Sequence, residues 1–149
     1  MEIEKVILKG FRNYLDATVN LQSKTLIIGA NDSGKTNFIF ALRLLLDKTL
    51  SESDLEPNES DFHISQEGIQ QEHLSIEVHF KDIKEDAVIS VLKGNVSSDG
   101  KSILRYDASR KSLEHSIKVG VDAKHLTTVN SRFYLKYLNL KYVKSSRDL

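Results

Sequence analysis

The chain has 149 residues, of which 40% are hydrophobic and 28% charged, and it has no cysteine. That length suits one domain with a sizeable core. The lack of cysteine rules out disulfides and thiolate metal sites and fits a reducing compartment. The net charge is zero but unevenly laid out. Residues 1–46 hold six Lys/Arg against four Asp/Glu, residues 47–86 three against twelve, and residues 87–149 twelve against five. A zero total therefore leaves room for a basic face toward nucleic acid, although solvated charges that interleave after folding explain the pattern more simply. No apolar run approaches the roughly 20 residues that span a bilayer. The N-terminal "MEIEKVILKGF" carries acids and no apolar signal core, so a cytoplasmic protein with no membrane partner is expected.

In chain order, "IEKVILKGF" (3–11) is rich in Val, Ile and Leu and ends at Gly10-Phe11, so it reads as a first strand. "DATVNL" (16–21) alternates and reads as a second, pairing as a hairpin across "RNYL". "KTLIIG" (24–29) is a continuous apolar run, the pattern of a strand buried on both faces. From Lys35 to Leu46 the period becomes helical, with Phe38, Leu42, Leu45 and Leu46 on one side. "SESDLEPNESDFHISQEG" (51–68) is polar, acidic and holds the only proline, which predicts a surface loop with short helices.

"HLSIEVHF" (73–80) alternates cleanly, placing Leu74, Ile76, Val78 and Phe80 inward and Ser75, Glu77 and His79 toward water. A helix is expected over 83–94, ended by Gly94. Residues 101–109 and 113–121 read as a strand pair turning at "RKS". Residues 122–140 are mixed, helical at the start, and a last strand reaches Val143.

Gly29-Ala30-Asn31-Asp32-Ser33-Gly34-Lys35-Thr36 matches G-x-x-x-x-G-K-[ST] in full. Such a loop wraps a phosphate with inward backbone N–H groups, and Gly29 and Gly34 permit angles that side chains forbid. Lys35 then reaches the β- and γ-phosphates, and the Thr36 hydroxyl ligates Mg²⁺. The helix opening at Gly34 turns its positive dipole end to the anion. A buried strand before and a helix after supply the context that a chance match lacks. A plain strand-to-helix turn would explain one glycine, not the Gly-Lys-Thr triplet. A near-match at Gly94 to Ser102 has five residues between its glycines, and Ser102 opens a strand. Asp99-Gly100 there is a hairpin turn signal, not a phosphate loop.

Hydrolysis needs more than a cradle. P-loop ATPases hold Mg²⁺ with an acid that ends a second apolar strand. "SIEVHF" is half polar, "LNLKYV" leads to Lys144, and no Ser-Gly-Gly signature occurs. The expectation is a site that these residues do not complete alone. The histidines at 63, 73, 79, 115 and 125 show no metal-ligand spacing and read as solvated or capping. The two Glu-Ser-Asp triplets, at 52–54 and 59–61, read as helix caps as readily as metal carboxylates. Tyr134, Tyr137 and Tyr142, interleaved with Arg132, Lys136, Lys141 and Lys144, suit either stacking on nucleic acid or core packing.

A strand into "KGFRNY" followed by "LIIGANDSGKTNFIFALRLLL" resembles the N-terminal lobe of ABC-type ATPase heads of the RecF/SMC group. Within it the chain is most similar to the ATPase domains of the OLD (overcoming lysogenisation defect) family. Its Asn-Asp-Ser-Gly-Lys-Thr loop looks like theirs, where SMC-type heads usually carry Asn-Gly-Ser-Gly-Lys-Ser. The acidic "LSESDLEPNESDF" and the late "YVKSSRDL" also look OLD-like, although Lys-Ser-Ser replaces that family's Pro-Ala-Leu.

The resemblance implies ATP and Mg²⁺ as cofactors, bound by Gly29, Asn31, Asp32, Ser33, Gly34, Lys35, Thr36 and Asn37, with Thr36 on the metal. It also implies Arg12 and Asn13 close to the nucleotide, and Arg147 and Asp148 near a junction with a second lobe. The expected fold is α/β: a P-loop NTPase, part of an ABC-type ATPase head, with a mixed sheet and an antiparallel β subdomain. Its divisions are a P-loop core at 1–50, an acidic loop at 51–72, and a β subdomain with connecting helices at 73–149. The second lobe and a nuclease domain of the family lie outside these residues. The implied function is the ATP-binding lobe of an OLD- or RecF-like ATPase in DNA metabolism, DNA repair or antiviral defence. It would work with a second copy or a partner ATPase–nuclease chain and meet DNA only through that assembly. The competing reading is a truncated, non-hydrolysing module that dimerises with a full-length relative. A GTPase is disfavoured, because no Asn-Lys-x-Asp motif occurs.

Overall fold

The computed structural model describes residues 1–21 and 32–140, with the side chains of Asp32 and Ser33 outside that description. The expected strand at 24–29, Gly29 and Asn31 of the phosphate loop, Tyr142, the strand to Val143, and Arg147 and Asp148 all lie outside the described residues. Among the described residues the fold is α/β. A six-stranded sheet runs β2-β1-β3-β4-β5-β6, and every pairing in it is antiparallel. The strands are β1 (Glu2–Phe11), β2 (Tyr14–Asn20), β3 (His73–Lys81), β4 (Ser102–Ser109), β5 (Glu114–Gly120) and β6 (Leu126–Val129). The helices are α1 (Asp32–Leu46) and α2 (Asp86–Leu92). The first hairpin and the 102–120 strand pair form as expected, and β1 also pairs with β3, so one sheet continues across the acidic loop.

Period-two patterning sends Val6, Leu8, Ile76, Val78, Leu104, Tyr106, Ile117 and Val119 to one face, where they pack with Phe38, Ala41, Leu42, Leu45 and Leu46 of α1. A register shift between Ile3 and Lys5 puts Glu4 in a bulge. That extra residue lets Ile3 share the inner face with Val6 and Leu8 despite their odd spacing.

The opposite face departs from expectation. Ser75 and Glu77 are 7% and 8% exposed, not turned to open water. β3 is an interior strand, and neighbours on β1 and β4 cover its short polar side chains. Glu77 accepts from Arg105 Nη1 at 2.7 Å and pairs with His79 Nε2 at 2.9 Å. Arg105 also donates to Asp107 at 2.8 Å, and Lys118 stands 3.1 Å from Asp107. The hydrogen bond to His79, followed by the Arg105 charge, holds the Glu77 carboxyl below its ordinary value against the opposing effect of burial.

Two further expectations are corrected. Residues 122–125 form no helix. They turn into β6, whose Thr127, Thr128 and Val129 favour a strand and pair along β5. The helix expected over 83–94 shortens to Asp86–Leu92. Its end is set one residue before Gly94, where Lys93 takes φ +44° and donates to Ile89 and Ser90 carbonyls. The acidic segment forms two short 3₁₀ turns, Ser53–Leu55 and Glu59–Asp61, as its composition suggested.

The carboxyl end of α1 is bound by distant residues. Its last four carbonyls have no helical partner of their own, yet all four are occupied. Asp47 N donates to Arg43 O at 2.9 Å and Leu140 N to Leu46 O at 3.1 Å. Arg132 Nη1 donates to Leu44 O at 3.3 Å, and the Tyr134 hydroxyl to Leu45 O at 2.8 Å. Arg132 also holds Asp47 O and Leu50 O, both at 2.8 Å. Tyr134 is therefore a core residue, and Arg132 a helix cap, rather than a nucleic-acid contact.

Candidate functional site

The site grows from the first turn of α1 and the β1–β2 turn beside it. α1 begins at Asp32, two residues ahead of the expected Gly34. Gly34 is buried, Lys35 and Thr36 are exposed, and Asn37 is half-buried. The Tyr14 hydroxyl, at the start of β2, donates to Gly34 O at 2.7 Å and ties the helix start to the hairpin.

The β1–β2 connection is only Arg12 and Asn13, since Phe11 pairs directly with Tyr14. Gly10 takes φ +66°, and a side chain there would overlap the His73 carbonyl, so this approach to β3 requires glycine. Arg12 sits at φ +50°, a conformation that non-glycine residues adopt at a cost. The strained turn throws both side chains toward α1. Arg12 Nη1 donates to Asn37 Oδ1 and Asn37 Nδ2 donates to Asn13 Oδ1, each at 2.8 Å. The Arg12 guanidinium lies 4.3 Å from the Phe40 ring centre. Its Nε and Nη2 are each 3.0 Å from Asp61 Oδ1.

A cleft of about 320 Å³ opens here, lined by Arg12, Lys35, Thr36, Ile39, Phe40 and Arg43. Arg43, from the last turn of α1, thus lines one side of an apolar floor, and Arg12, Lys35 and the Thr36 hydroxyl border it at the amino end of that helix. There the helix dipole and the N–H groups of the first turn favour negative charge. A phosphate-bearing ligand suits this chemistry. A larger hollow of about 450 Å³ on the outer sheet face takes in Arg105, Asp107 and His115. Its arginine is paired twice, with Glu77 and Asp107; in the smaller cleft Arg12 and Arg43 are paired once each, with Asp61 and Asp47, and the exposed Lys35 stands at the helix start.

Of the residues expected from sequence, Arg12, Asn13, Gly34, Lys35, Thr36 and Asn37 are brought together. Asp32 and Ser33 lie in the same turn by backbone, and Gly29 and Asn31 fall outside the described residues. Asp61, Phe40 and Arg43 were missed. Asp61 was read only within the Glu59–Asp61 triplet, as a helix cap or metal carboxylate, and it does cap its turn by accepting Asn58 N; Phe40 and Arg43 were legible only as members of a helix.

Among the described residues, no three His, Cys, Asp or Glu side chains gather as a metal cluster. His63 Nδ1 donates to Arg12 O at 2.7 Å, and His125 pairs with Asp122 at 2.7 Å. His115 is not simply solvated. It stacks on Tyr106 with ring centres 5.4 Å apart, and burial lowers its pKa against the opposing pull of Glu52 and Glu56. No helix among the described residues is long and apolar enough to cross a membrane.

Comparison with known proteins gives a consistent answer. The family model described as AAA ATPase domain matches residues 1–149. Endonuclease GajA of Bacillus cereus (strain VD045) is 38% identical over 97 residues, covering 63% of this chain and 16% of that protein. The chromosome partition protein Smc of Aquifex aeolicus (strain VF5) is 29% identical over 110 residues, 69% of this chain and 9% of that one. The replication and repair protein RecF of Crocosphaera subtropica (strain ATCC 51142 / BH68) is 46% identical over 46 residues, 30% of this chain and 12% of that one. The chain thus spans less than a fifth of these relatives.

Among solved structures, one from a study titled "Structural biochemistry of ATP-driven dimerization and DNA stimulated activation of SMC ATPases" superposes with TM-score 0.62 at 22% identity. It covers 91% of this chain and 76% of its own. The Smc head of Pyrococcus furiosus bound to the C-terminal domain of ScpA gives TM-score 0.58 at 21% identity, covering 91% and 32%. The fold is that of a partial P-loop, ABC-type ATPase head. The resemblance to the N-terminal lobe of OLD-, RecF- and SMC-like ATPases is borne out.

Proposed function

We propose, from the fact that the chain belongs to the AAA ATPase domain family, that it is the ATP-binding lobe of a larger ATPase acting on DNA. The observation that carries this reading is the cleft where Lys35, Thr36 and Arg12 meet at the amino end of α1. In this proposal residues 29–36 wrap the phosphates, Lys35 neutralises the β- and γ-oxygens, and Thr36 offers its hydroxyl to Mg²⁺. The metal, when bound, would supply charge neutralisation to the phosphates. Arg12 and Asn13 reach the nucleotide from the β1–β2 turn, with Asn37 holding both in place. Ile39 and Phe40 give the nucleotide an apolar wall. The exposed Lys35 and Thr36 and the apolar wall fit a triphosphate.

Completion of the hydrolytic site falls to a second lobe or partner chain. The relatives it matches are several times longer. A solved SMC relative is described in terms of ATP-driven dimerization and DNA-stimulated activation. By that likeness, two copies close over the γ-phosphates, and DNA is met by the assembly. The likeness to an endonuclease supports a role in DNA metabolism; the 1–50, 51–72 and 73–149 segments would work as one lobe, and antiviral defence is one setting for it.

The test is titration calorimetry with ATP–Mg²⁺. The unaltered chain binds, and Lys35→Ala abolishes binding. Unchanged affinity in that variant overturns the reading. Steady ATP turnover by the 149-residue chain alone would overturn the need for a second lobe.

A further inference from the structure

We propose that Asp61, which ends the second 3₁₀ turn of the acidic loop, is the positioning residue that holds Arg12 ready for the nucleotide. The inference rests on the nucleotide reading of the cleft and adds a residue to it.

Arginine carries five N–H donors on a long side chain that loses considerable freedom when fixed. Here that freedom is removed before any ligand arrives. Asp61 Oδ1 takes Nε and Nη2 at 3.0 Å each, and Asn37 Oδ1 takes Nη1 at 2.8 Å. The guanidinium is packed against Phe40 at 4.3 Å and Phe11 at 5.3 Å. Among the described residues, these bonds use one N–H of each terminal nitrogen and leave the other to an anion in the cleft that Arg12 borders.

Asp61 can do this because its own backbone is fixed to the same turn. Arg12 N donates to Asp61 O at 2.8 Å, and His63 N donates to Gly10 O at 2.9 Å. Phe11 and Phe62 bridge the two segments. Asp61 is only 6% exposed, and its second oxygen accepts Asn58 N at 2.8 Å. A carboxylate so enclosed needs a cation, and Arg12 is the cation it has. An acid beside the cleft lowers its net positive charge. What it contributes is order: the arginine pays less entropy on meeting a phosphate, and its planar fork is aimed.

The alternative is that Asp61 merely caps its own turn through Asn58. A double-mutant cycle separates the two, with ATP–Mg²⁺ affinity from calorimetry and a thermal midpoint for every variant. Arg12→Ala and Asp61→Ala are each expected to weaken binding about tenfold, the effect of one charged hydrogen bond. In the Arg12→Ala background, Asp61→Ala should then weaken binding no further. Additive losses, or an unchanged affinity for Asp61→Ala, overturn the proposal.

Arg12→Lys leaves the acidic loop untouched and keeps the charge. It is expected to bind nearly as weakly as Arg12→Ala, because an ammonium lacks the planar fork that holds Asp61 and Asn37 while still presenting aimed donors to a phosphate. Wild-type affinity in that variant overturns the proposal even where Asp61 variants fold poorly. Lys35→Ala stands as the separate control. If it abolishes binding while the cycle is additive, the positioning role alone fails. If the unaltered chain binds no ATP, the cleft reading and the inference fail together.

Discussion

Tyr134→Phe isolates one bond at the carboxyl end of α1. The substitution removes a hydroxyl and keeps the ring, so core packing is preserved. That hydroxyl donates at 2.8 Å to Leu45 O, and both residues are 0% exposed. The Thr49 amide, the partner that a longer helix would offer to Leu45 O, is turned to Asp47 Oδ1 at 2.9 Å instead. The variant therefore leaves a carbonyl without its partner in the interior, where such a group costs about 1–3 kcal/mol. For a domain of this size each kcal/mol lowers the melting temperature by about 2–4 °C, so a fall of roughly 2–12 °C is expected. Thermal unfolding followed by circular dichroism reads it, and urea unfolding should show a lower midpoint at unchanged slope. Leu45 lies ten residues beyond Lys35 on α1, which places the Tyr134 bond about 15 Å from Lys35 at 1.5 Å per residue. ATP affinity at 25 °C should therefore stay the same. An unchanged melting temperature would refute the claim that this hydroxyl closes the helix.

Gly10→Ala should destabilise by about 2–4 kcal/mol, since it combines a strained φ with overlap on the His73 carbonyl; chemical denaturation measures it. Arg105→Ala should cost about 2 kcal/mol. That is less than the roughly 3–5 kcal/mol of a fully buried pair, because the Arg105 side chain is 31% exposed. Burial raises the pKa of both Tyr106 and Tyr134 above the ordinary tyrosine value. The unfolded chain thus ionises first, and stability present below about pH 10 is lost as pH rises beyond it. Denaturation midpoints at rising alkaline pH should fall, and Tyr106→Phe should flatten that fall. Asp47 moves the other way. Burial raises its pKa, but hydrogen bonds from Thr49 and Arg43 outweigh this and hold it at about 2. Its contribution is full above the unfolded value of about 3.9 and is lost as pH falls toward 2. Asp47→Asn should show a shallower acid limb in the same measurement.

The strands and α1 were legible because their patterns are local. Alternation in "HLSIEVHF" and the 3.6-residue spacing from Phe38 to Leu46 report one buried face each. The same pattern misplaced Ser75 and Glu77, because alternation tells which way a side chain points and not what lies over it. Only strand order shows that β3 is flanked on both sides by long polar side chains. Residues 122–129 misled for a related reason. Their short polar run has no period of its own, and pairing along β5 decided the strand.

For the candidate site, sequence alone determined the Gly-Lys-Thr triplet and the helix it opens, since both are written in contiguous residues. The resemblance added Arg12 and Asn13. Tertiary structure decided what no spacing encodes. Asp61 meets Arg12 across 49 residues of chain, and Arg132 and Tyr134 close α1 from 88 and 89 residues away. Those are bonds from side chains to groups fixed by the whole fold. A charge or a hydroxyl carries no local sign of the partner it will find, whereas a repeating apolar face and a glycine-bounded loop announce themselves within a few residues.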